Sequence, residues 1–352
     1  MFSKLATSNK DVKTSVIKGK SDLFQKFLAF GVLIILSIFF GALTKGNFLK
    51  LDNLLTIALQ VTPYAILGFG LTFVLITGGT DLSAGSVLGF GGIVCAKAIT
   101  MGVSIPVSIV IGILAGIIAG LINGLVVTKL NVTPFIATLG TQFAFRGLTQ
   151  LVGQGKPVSI RAIGDQNIIS VFQFIGSGTI FGKIPFPTVI MIVAAITLGI
   201  ILSKTAFGRR LFAVGSNEEA ARLSGINVIK TKLTAYIICG ATSSMAGILL
   251  AARLVSAQSN AGQGYELEGI AAAVIGGTSV MGGEGGILGT VIGAFVMGVL
   301  RNGLNLLKVD AFVQMVIIGT IIVLGVWYDT ARRKKQSESI MPVINRENGK
   351  NI

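Results

Sequence analysis

Long stretches without a charged residue restrict the fold of this chain more than any other feature of its sequence. Residues 27–44, 53–80 and 98–128 are three of these stretches. A helix needs about 20 consecutive apolar residues to cross a bilayer. Only 12% of the residues are charged and 52% are hydrophobic, whereas a soluble domain carries roughly 25% charged residues. We therefore predict an all-α polytopic membrane protein.

Ten charge-free runs predict about ten transmembrane helices, some of them short or broken. The runs are 27–44, 53–80, 82–96, 98–128, 133–145, 184–203, 233–252, 269–283, 285–300 and 311–328. They define a transmembrane domain at 27–328, which lies between a basic N-terminal tail at 1–26 and a C-terminal tail at 329–352.

Lysine and arginine residues at the ends of the apolar runs carry most of the net charge of +15. Such residues are enriched on the cytoplasmic side of a membrane. Both tails and the loop 204–232 are therefore predicted to be cytoplasmic, and the segment 156–183 is predicted to be external. Because the positive charges are not gathered on one folded face, nucleic-acid binding is not predicted.

Glycines recur at every fourth position in two of the predicted helices. They are Gly112, Gly116, Gly120 and Gly124 in the first, and Gly285, Gly289 and Gly293 in the second. Small residues let helix backbones approach closely in lipid, where apolar burial contributes little to association. The favoured interpretation is packing within one chain, and dimerisation through one of these faces is the alternative.

The sequence also contains a weak internal repeat. "ITGGTDLSAGSVLGFGGIV" begins at Ile76 and "VIGGTSVMGGEGGILGTVIG" begins at Val274. Each combines Gly-Gly-Thr, a glycine-rich break and a short apolar helix. Paired breaks of this kind in two halves of a membrane protein are typical of transport folds. The alternative is a chance recurrence in a chain that contains 47 glycines.

Catalytic chemistry is not predicted for this chain. It has no histidine, and its two cysteines, Cys95 and Cys239, lie in apolar segments. No metal site, bound cofactor or nucleophile–base pair is therefore expected. The "GKS" at 19–21 has Thr14 where a phosphate-binding loop needs glycine. If ATP drives transport, a partner chain must bind the ATP and Mg²⁺.

The carboxylates lie at the edges of the predicted spans rather than inside them, for example Asp81, Glu266 and Glu268. Proton-coupled carriers usually place carboxylates within their spans. A secondary carrier or channel is therefore the less favoured alternative. Glu266 and Glu268 are expected in an external loop, where they brace the loop or contact a partner.

The segment "NEEAARLSGIN" at 217–227 is polar and predicts a short helix in the largest cytoplasmic loop. Ser216 or Asn217 can cap its start, and glutamates in the first turn suit the helix dipole. Gly225 can end it in the left-handed conformation. The helix is either a solvated connector or a docking element for a partner.

Glu219-Ala220-Ala221, followed by Gly225, resembles the EAA–G coupling motif of permease subunits in binding-protein-dependent ABC importers. Other segments resemble the monosaccharide branch of that family, and the resemblance covers roughly residues 27–328. They are "GGTDLSAGSVLG", "LNVTPFIATLGT", "GRRLFAVGSNEEAARLSGINV", "AQSNAGQGYELEGIAAAVIGGTSVMGGEGG" and "GLNLL". The C-terminal half is most similar to ribose permeases, whereas "TDLSAG" is more similar to galactose or methylgalactoside permeases.

This resemblance implies a multi-pass protein of the bacterial cytoplasmic (inner) membrane, in contact with membrane lipid. It implies an ABC ATPase subunit, an extracytoplasmic sugar-binding protein and a permease homodimer as partners. Glu219, Ala220, Ala221 and Gly225 would dock the ATPase, and Arg222 would add a charge contact or face water. A ribose-type pentose is the favoured substrate and a galactose-type hexose the next, while a polyol, a nucleoside or a furanone-type signal stays open.

Several polar residues in or beside the predicted spans are candidates for lining the translocation path. They are Thr80, Asp81, Ser83, Asn123, Thr138, Gln142, Thr278 and Asn302. For each of them, a hydrogen bond between helices is the alternative role. Asp81 and Ser83 are expected to cap the short helix that follows the first glycine-rich break.

Overall fold

The computed structural model describes residues 28–325, 327 and 331. Its longer helices are α1 (Leu28–Leu43), α2 (Leu51–Ile76), α3 (Ala84–Thr100), α4 (Ile105–Thr128), α5 (Pro134–Gly153), α6 (Gln166–Ser177), α7 (Phe186–Lys204), α8 (Ala206–Ser216), α9 (Glu218–Leu223), α10 (Val228–Leu254), α11 (Tyr265–Ile275), α12 (Ile287–Leu306) and α13 (Ala311–Gly325). Short 3₁₀ helices lie at Asn47–Leu49 and Ile160–Ile163. The predictions for the tails 1–26 and 329–352 fall outside the described residues, except at 331.

Each of the ten charge-free runs contains one helix, so the prediction of an all-α polytopic membrane protein is confirmed. The helices are α1, α2, α3, α4, α5, α7, α10, α11, α12 and α13. Five of them, α2, α4, α7, α10 and α12, are long and apolar enough to cross a membrane by length and composition. The short helices α3 and α11 adjoin the glycine-rich breaks.

Several helix boundaries differ from the predicted ones. The run 53–80 extends past the end of α2 at Ile76, and only the first part of the run 269–283 is helical, because α11 ends at Ile275. Conversely, α10 begins at Val228, five residues before its run, since Asn227 Oδ1 caps its first turn. A charge-free run reports where charges are absent, whereas capping and packing decide where a helix begins and ends.

The segment 156–183 contains more regular structure than a simple external connection. It includes α6, whose start is capped by Asp165, and the short strands β1 (Val158–Ser159) and β2 (Thr179–Ile180). A third short strand, β3 (Ile184–Pro185), follows the segment directly. β2 pairs with β3, and β1 pairs antiparallel with β4 (Ser256–Ala257), which follows α10. These contacts tie the segment to one end of α10, against which α6 also packs.

Helix α10 lies at the centre of the fold and packs against α2, α3 and α4. The four-glycine face of α4 lies against α10, and the Ser244 hydroxyl donates a hydrogen bond of 2.5 Å to the Gly112 carbonyl. On α12, Gly289 lies opposite Gly276 and Gly293 lies against Ala272 of α11. Gly285 was predicted on the same face, but it precedes the start of α12 and has a φ of +151°. These contacts support the favoured interpretation, which is packing within one chain.

The repeated Gly-Gly-Thr segments both interrupt helices, and they meet in space. The first break comprises residues 77–83 between α2 and α3, and the second comprises residues 276–286 between α11 and α12. The Gly283 N–H, in the second break, donates a hydrogen bond of 2.9 Å to the Ile76 carbonyl at the end of α2. Helices α2 and α11 also pack against each other, so both breaks belong to one packed unit.

Candidate functional site

The first break is non-helical and deeply buried. Asp81 is only 1% exposed, and Ser83 is buried beside it. Asp81 Oδ1 accepts hydrogen bonds from the Ser83 N–H at 2.9 Å and from the Ser83 hydroxyl at 2.6 Å. These bonds hold the turn before α3, which begins at Ala84. The expectation that Asp81 and Ser83 cap α3 is wrong, because Ser83 occupies the N-cap position without a side-chain capping bond and the Asp81 carboxylate bonds to Ser83 itself. Non-helical backbone at membrane depth is tolerated only where it is buried in protein or lines an aqueous cavity.

Two other helices, α4 and α5, contact the first break through polar side chains. Asn123 on α4 donates a hydrogen bond of 2.7 Å to the Ser83 hydroxyl. Thr138 on α5 accepts one from the Leu82 N–H at 3.1 Å. The structure therefore brings Thr80, Asp81, Ser83, Asn123 and Thr138 together. We call these five residues the Asp81 cluster.

Tyr236 on α10 also contacts the Asp81 cluster, and the sequence analysis did not select it. Its hydroxyl donates a hydrogen bond of 3.2 Å to the Thr80 carbonyl, and its side chain is buried. The side-chain amide oxygen of Asn123, Oδ1, is also buried, and it has no hydrogen-bond partner among the described residues. The cluster thus retains an unused hydrogen-bond acceptor, although α4, α5 and α10 all bond to it.

A second polar group lies where α5 meets the start of α11. Gln142 Nε2 donates a hydrogen bond of 3.4 Å to Glu266 Oε1. Glu266 is 6% exposed, and its Oε2 has no hydrogen-bond partner within the described part of the chain. The expectation that Glu266 lies in an external loop is wrong, because it occupies the first turn of α11 and is buried.

Arg146, which the sequence analysis missed, braces the same region. Its guanidinium donates hydrogen bonds to the carbonyls of Ala261, at 2.7 Å, and Ser259, at 3.4 Å. Arg146 follows Gln142 by one helical turn on α5, so the two residues share a face. The position of this charged residue one turn after Gln142 was the available signal.

Glu268 also lies on α11 rather than in a loop, and it braces the fold. Its carboxylate forms an ion pair of 2.5 Å with Arg301 on α12. Arg301 also donates a hydrogen bond of 2.8 Å to the Tyr64 hydroxyl on α2. This group connects α2, α11 and α12, so Glu268 has a bracing role within the helix bundle.

Thr278 and Asn302 do not join the Asp81 cluster. Thr278 is buried in the second break, where its hydroxyl has no partner among the residues described. Asn302 on α12 pairs with Asn53 near the start of α2, with amide hydrogen bonds of 2.9 and 3.0 Å. The first break follows the other end of α2, so most of that helix separates Asn302 from Asp81.

We expect Asn302→Ala to lower the stability of the bundle by about 2 kcal/mol, because it leaves Asn53 Oδ1 without its donor, although Asn53 Nδ2 still donates to the Phe48 carbonyl. Thermal unfolding in detergent should show the loss. Asn53→Ala and the double variant complete a double-mutant cycle, in which the double variant should lose less than the sum of the single variants. Additive losses would contradict a direct Asn53–Asn302 interaction.

The polar segment of the 204–232 loop forms the short helix α9, as predicted. Asn217, rather than Ser216, caps it: the Asn217 side-chain oxygen accepts a hydrogen bond of 2.9 Å from the Ala220 N–H. Glu218 in the first turn forms an ion pair of 2.5 Å with Lys232 on α10. The cap and the ion pair fix the start of α9 against the body of the protein.

Gly225 ends α9 in the left-handed conformation, with φ of +81°. The Gly225 N–H donates a hydrogen bond to the Arg222 carbonyl, and the Ile226 N–H donates one to the Ala221 carbonyl, each of 3.0 Å. This pair of bonds is a Schellman motif, which explains the glycine. The predicted stop at Gly225 therefore has a defined backbone cause.

One face of α9 packs on its own loop and the other faces outward. Ala221 is buried against Val214 and Val228. Glu219, Ala220 and Arg222 are exposed, and Leu223 is 84% exposed. The Arg222 guanidinium lies 3.4 Å from Glu218 on the surface, where such a pair stabilises little.

A groove of about 780 Å³ runs beside α9 and is lined in part by Lys129, Asn131 and Pro134 from the connection between α4 and α5. Arg222 and Lys232 line its other side. The loop at Lys129 and the α9 loop therefore lie on the same side of the protein, as the predicted topology requires. Cys95 and Cys239 are both buried and free, and no metal-binding group of His, Cys, Asp or Glu occurs among the described residues.

Comparison with known proteins gives matches along most of the chain. The family model described as "Branched-chain amino acid transport system / permease component" matches residues 53–326. The ribose import permease protein RbsC of Bacillus subtilis (strain 168) is 44% identical over 315 residues, which cover 90% of this chain and 95% of that protein. RbsC of Escherichia coli (strain K12) is 39% identical over 314 residues, covering 89% and 96%.

The L-arabinose transport system permease protein AraH of Escherichia coli (strain K12) is 36% identical over 307 residues, covering 87% of this chain and 91% of that protein. No solved structure matches the chain significantly. The residues that the family model matches include most of α2, all of α3 to α13, and both breaks. The chain therefore belongs to this family of transport-system permease components, among the permeases of monosaccharide ABC importers.

Proposed function

We propose that this chain forms the translocation path of an ATP-driven importer for a pentose, with ribose favoured. The ribose import permeases reach 44% and 39% identity, and the arabinose permease reaches 36%. This order supports ribose over other pentoses. It also supports a pentose over the galactose-type hexose that "TDLSAG" suggests, because a short segment carries less weight than an alignment of the whole chain.

The outward face of α9 is the observation that carries the proposed coupling to an ABC ATPase. Glu219, Ala220 and Leu223 are exposed on a helix that is fixed at both ends, which is what a docking element requires. Arg222 lies at the edge of this face. Ala221 faces inward, so its role is to hold α9 in place rather than to touch the partner.

The Asp81 cluster and the Gln142–Glu266 pair are the proposed polar path. A sugar carries several hydroxyl groups, and each costs a few kcal/mol when its hydrogen bonds to water are not replaced. The unused acceptors at Asn123 and Glu266 support this assignment. Thr278 can offer its hydroxyl from the second break, whereas Asn302 is assigned to the α2–α12 contact.

The remaining partners follow from the family and from the proposed topology. A soluble sugar-binding protein delivers the substrate on the external side, and a second copy of the permease completes the path within the lipid bilayer. ATP and Mg²⁺ are bound by the partner ATPase and not by this chain. The neighbouring loops at Lys129 and 204–232 support a common cytoplasmic side, on which both tails are also proposed to lie.

Co-purification from native membranes in mild detergent tests the docking face. Ala220→Trp places a large side chain on the exposed face of α9 and should reduce co-eluting ATPase at least tenfold. Ala206→Trp is the matched control, because Ala206 is an exposed alanine on α8 in the same loop. Equal ATPase recovery from both variants would contradict docking through this face.

Reconstituted transport tests the substrate and the energy source. Proteoliposomes that contain the co-purified ATPase and the associated binding protein should accumulate radiolabelled ribose only when ATP is supplied. Excess unlabelled ribose should compete more strongly than arabinose, xylose or galactose. Ribose uptake without the ATPase would replace the importer with a secondary carrier or channel, and stronger competition by another sugar would replace ribose.

A further inference from the structure

The C-terminal end of α8 lies directly against both breaks. A Cβ at Gly215 would overlap the Ile76 carbonyl oxygen and would lie 2.7 Å from the Gly283 nitrogen. The Gly283 N–H is already hydrogen bonded to that same carbonyl, over 2.9 Å. A Cβ at Gly282 would lie 2.8 Å from the Gly78 nitrogen and 2.9 Å from the Gly215 oxygen. Three backbones thus meet at a point where a side chain has no room.

Helix α8 is also attached to α2 nearer its own N-terminal end. Phe207 stacks on Phe73, with ring centroids 6.1 Å apart. Leu211, between Phe207 and Gly215, is fully buried. Because α8 is fixed along its whole length, it cannot shift relative to the end of α2 without breaking these contacts.

The same helix is rigidly joined to α9. Only Asn217, which caps α9, separates the two helices. Ala221 on α9 packs against Val214, the residue that precedes Gly215. A displacement of α9 is therefore transmitted through one turn of α8 to the junction of the two breaks.

We propose that Gly215 is a positioning residue that links α9 to both breaks, so that α8 and the breaks move as one unit. This inference rests on the proposed docking of an ATPase to α9. The first break contains Asp81 and Ser83, so the movement reaches the polar cluster directly. A movement of α8 then displaces both glycine-rich breaks together.

Gly215→Ala tests the link, with Gly140→Ala as the matched control. Both are glycines within helices, but nothing in the described chain lies within 4 Å of a Cβ at Gly140. Gly215→Ala should leave co-purified ATPase and its ATP hydrolysis within twofold of the parent, and should lower the sugar transported per ATP at least tenfold. An unchanged ratio of transport to hydrolysis would overturn the proposal.

If the Gly215→Ala variant does not accumulate in the membrane, a chemical cross-link tests the same connection between α8 and the breaks. Ser216 and Met281 are both exposed, and they flank the contact between α8 and the second break. The variant Ser216→Cys/Met281→Cys is treated with a short bifunctional maleimide, from which the buried Cys95 and Cys239 are protected.

If α8 and the second break move as one unit, the cross-linked protein should transport sugar within twofold of the untreated variant. Arrest of transport by the cross-link would show independent movement and would overturn the proposal. Failure of any ATPase to co-purify with the parent chain is a separate result, which would reject the docking role of α9 itself.

Discussion

Gly225→Pro is expected to release the partner ATPase and to reduce ATP-driven transport on the order of 100-fold. Proline holds φ near −65°, whereas Gly225 has φ of +81°. Proline also lacks the N–H that donates to the Arg222 carbonyl. A loss of about 3 kcal/mol at a docking element corresponds to roughly 150-fold in affinity.

The measurement is ATPase recovery in a pull-down, followed by transport in proteoliposomes. Gly225→Asn is the control, because asparagine tolerates the left-handed conformation and keeps the N–H; it should retain most of both activities. The Gly225 surroundings are open, with nothing within 4 Å of a Cβ among the described residues. No neighbouring side chain among them is available to repack around the proline. Full ATPase recovery with Gly225→Pro would therefore contradict docking through α9.

Asp81→Ala is expected to reduce transport at least about tenfold while the ATPase still co-purifies, because the variant leaves α9 untouched. The substitution removes the acceptor for the Ser83 N–H and hydroxyl, both of which are buried. Each buried group left without a partner costs about 1–3 kcal/mol. The start of α3 and the neighbouring Asn123 should both lose their fixed positions.

Two controls separate this role from a general effect on folding. Asp81→Asn retains Oδ1 and should keep transport within about threefold, since one oxygen accepts both bonds from Ser83. Asp165→Ala removes another aspartate whose side chain accepts hydrogen bonds from backbone N–H groups. Asp165 lies at the exposed start of α6, so this variant should leave transport unchanged. Equal losses with Asp81→Ala and Asp81→Asn would show that the carboxylate charge matters, and would contradict a role limited to hydrogen bonding.

If both predictions hold, the face of α9 and the first break have separate roles in the importer. The exposed face of α9 receives the ATPase, and the buried first break presents polar groups to the sugar. The permease then needs few hydrogen-bonding side chains in its spans, because the soluble binding protein selects the sugar. The close packing at Gly215 supplies the physical connection that this division requires.

Much of the fold could be predicted from the sequence because the membrane imposes one dominant constraint. Backbone polar groups in lipid must bond within their own segment, so a charge-free run of sufficient length forms a helix. Each of the ten runs does contain a helix. The start and end of α9 were predictable for a different reason, because the cap at Asn217 and the stop at Gly225 depend only on residues a few positions apart.

Because polar residues are rare in the spans, the sequence could indicate which of them lie together, while their role in the translocation path stays a prediction. Five of the eight candidate path residues form the Asp81 cluster, and Gln142 pairs nearby with Glu266. The sequence misplaced Glu266, since the start of α11 lies inside the bundle rather than in a loop. It also missed Arg146, for which the position one helical turn after Gln142 was the available signal. It missed Tyr236 as well, whose hydrogen bond goes to a backbone carbonyl that no sequence pattern identifies.

By itself, the sequence determined the membrane class, the helical runs, both glycine-rich breaks and the short capped helix at 217–227. Only the tertiary structure decided which elements meet. The glycine face of α4 packs against α10, Asn302 pairs with Asn53, and Gly215 lies against Ile76 and Gly283 beside the two breaks. The reason is physical. Helix formation and capping depend on neighbours within a few residues, whereas these contacts join positions far apart in the chain, and close packing of the whole bundle selects among them.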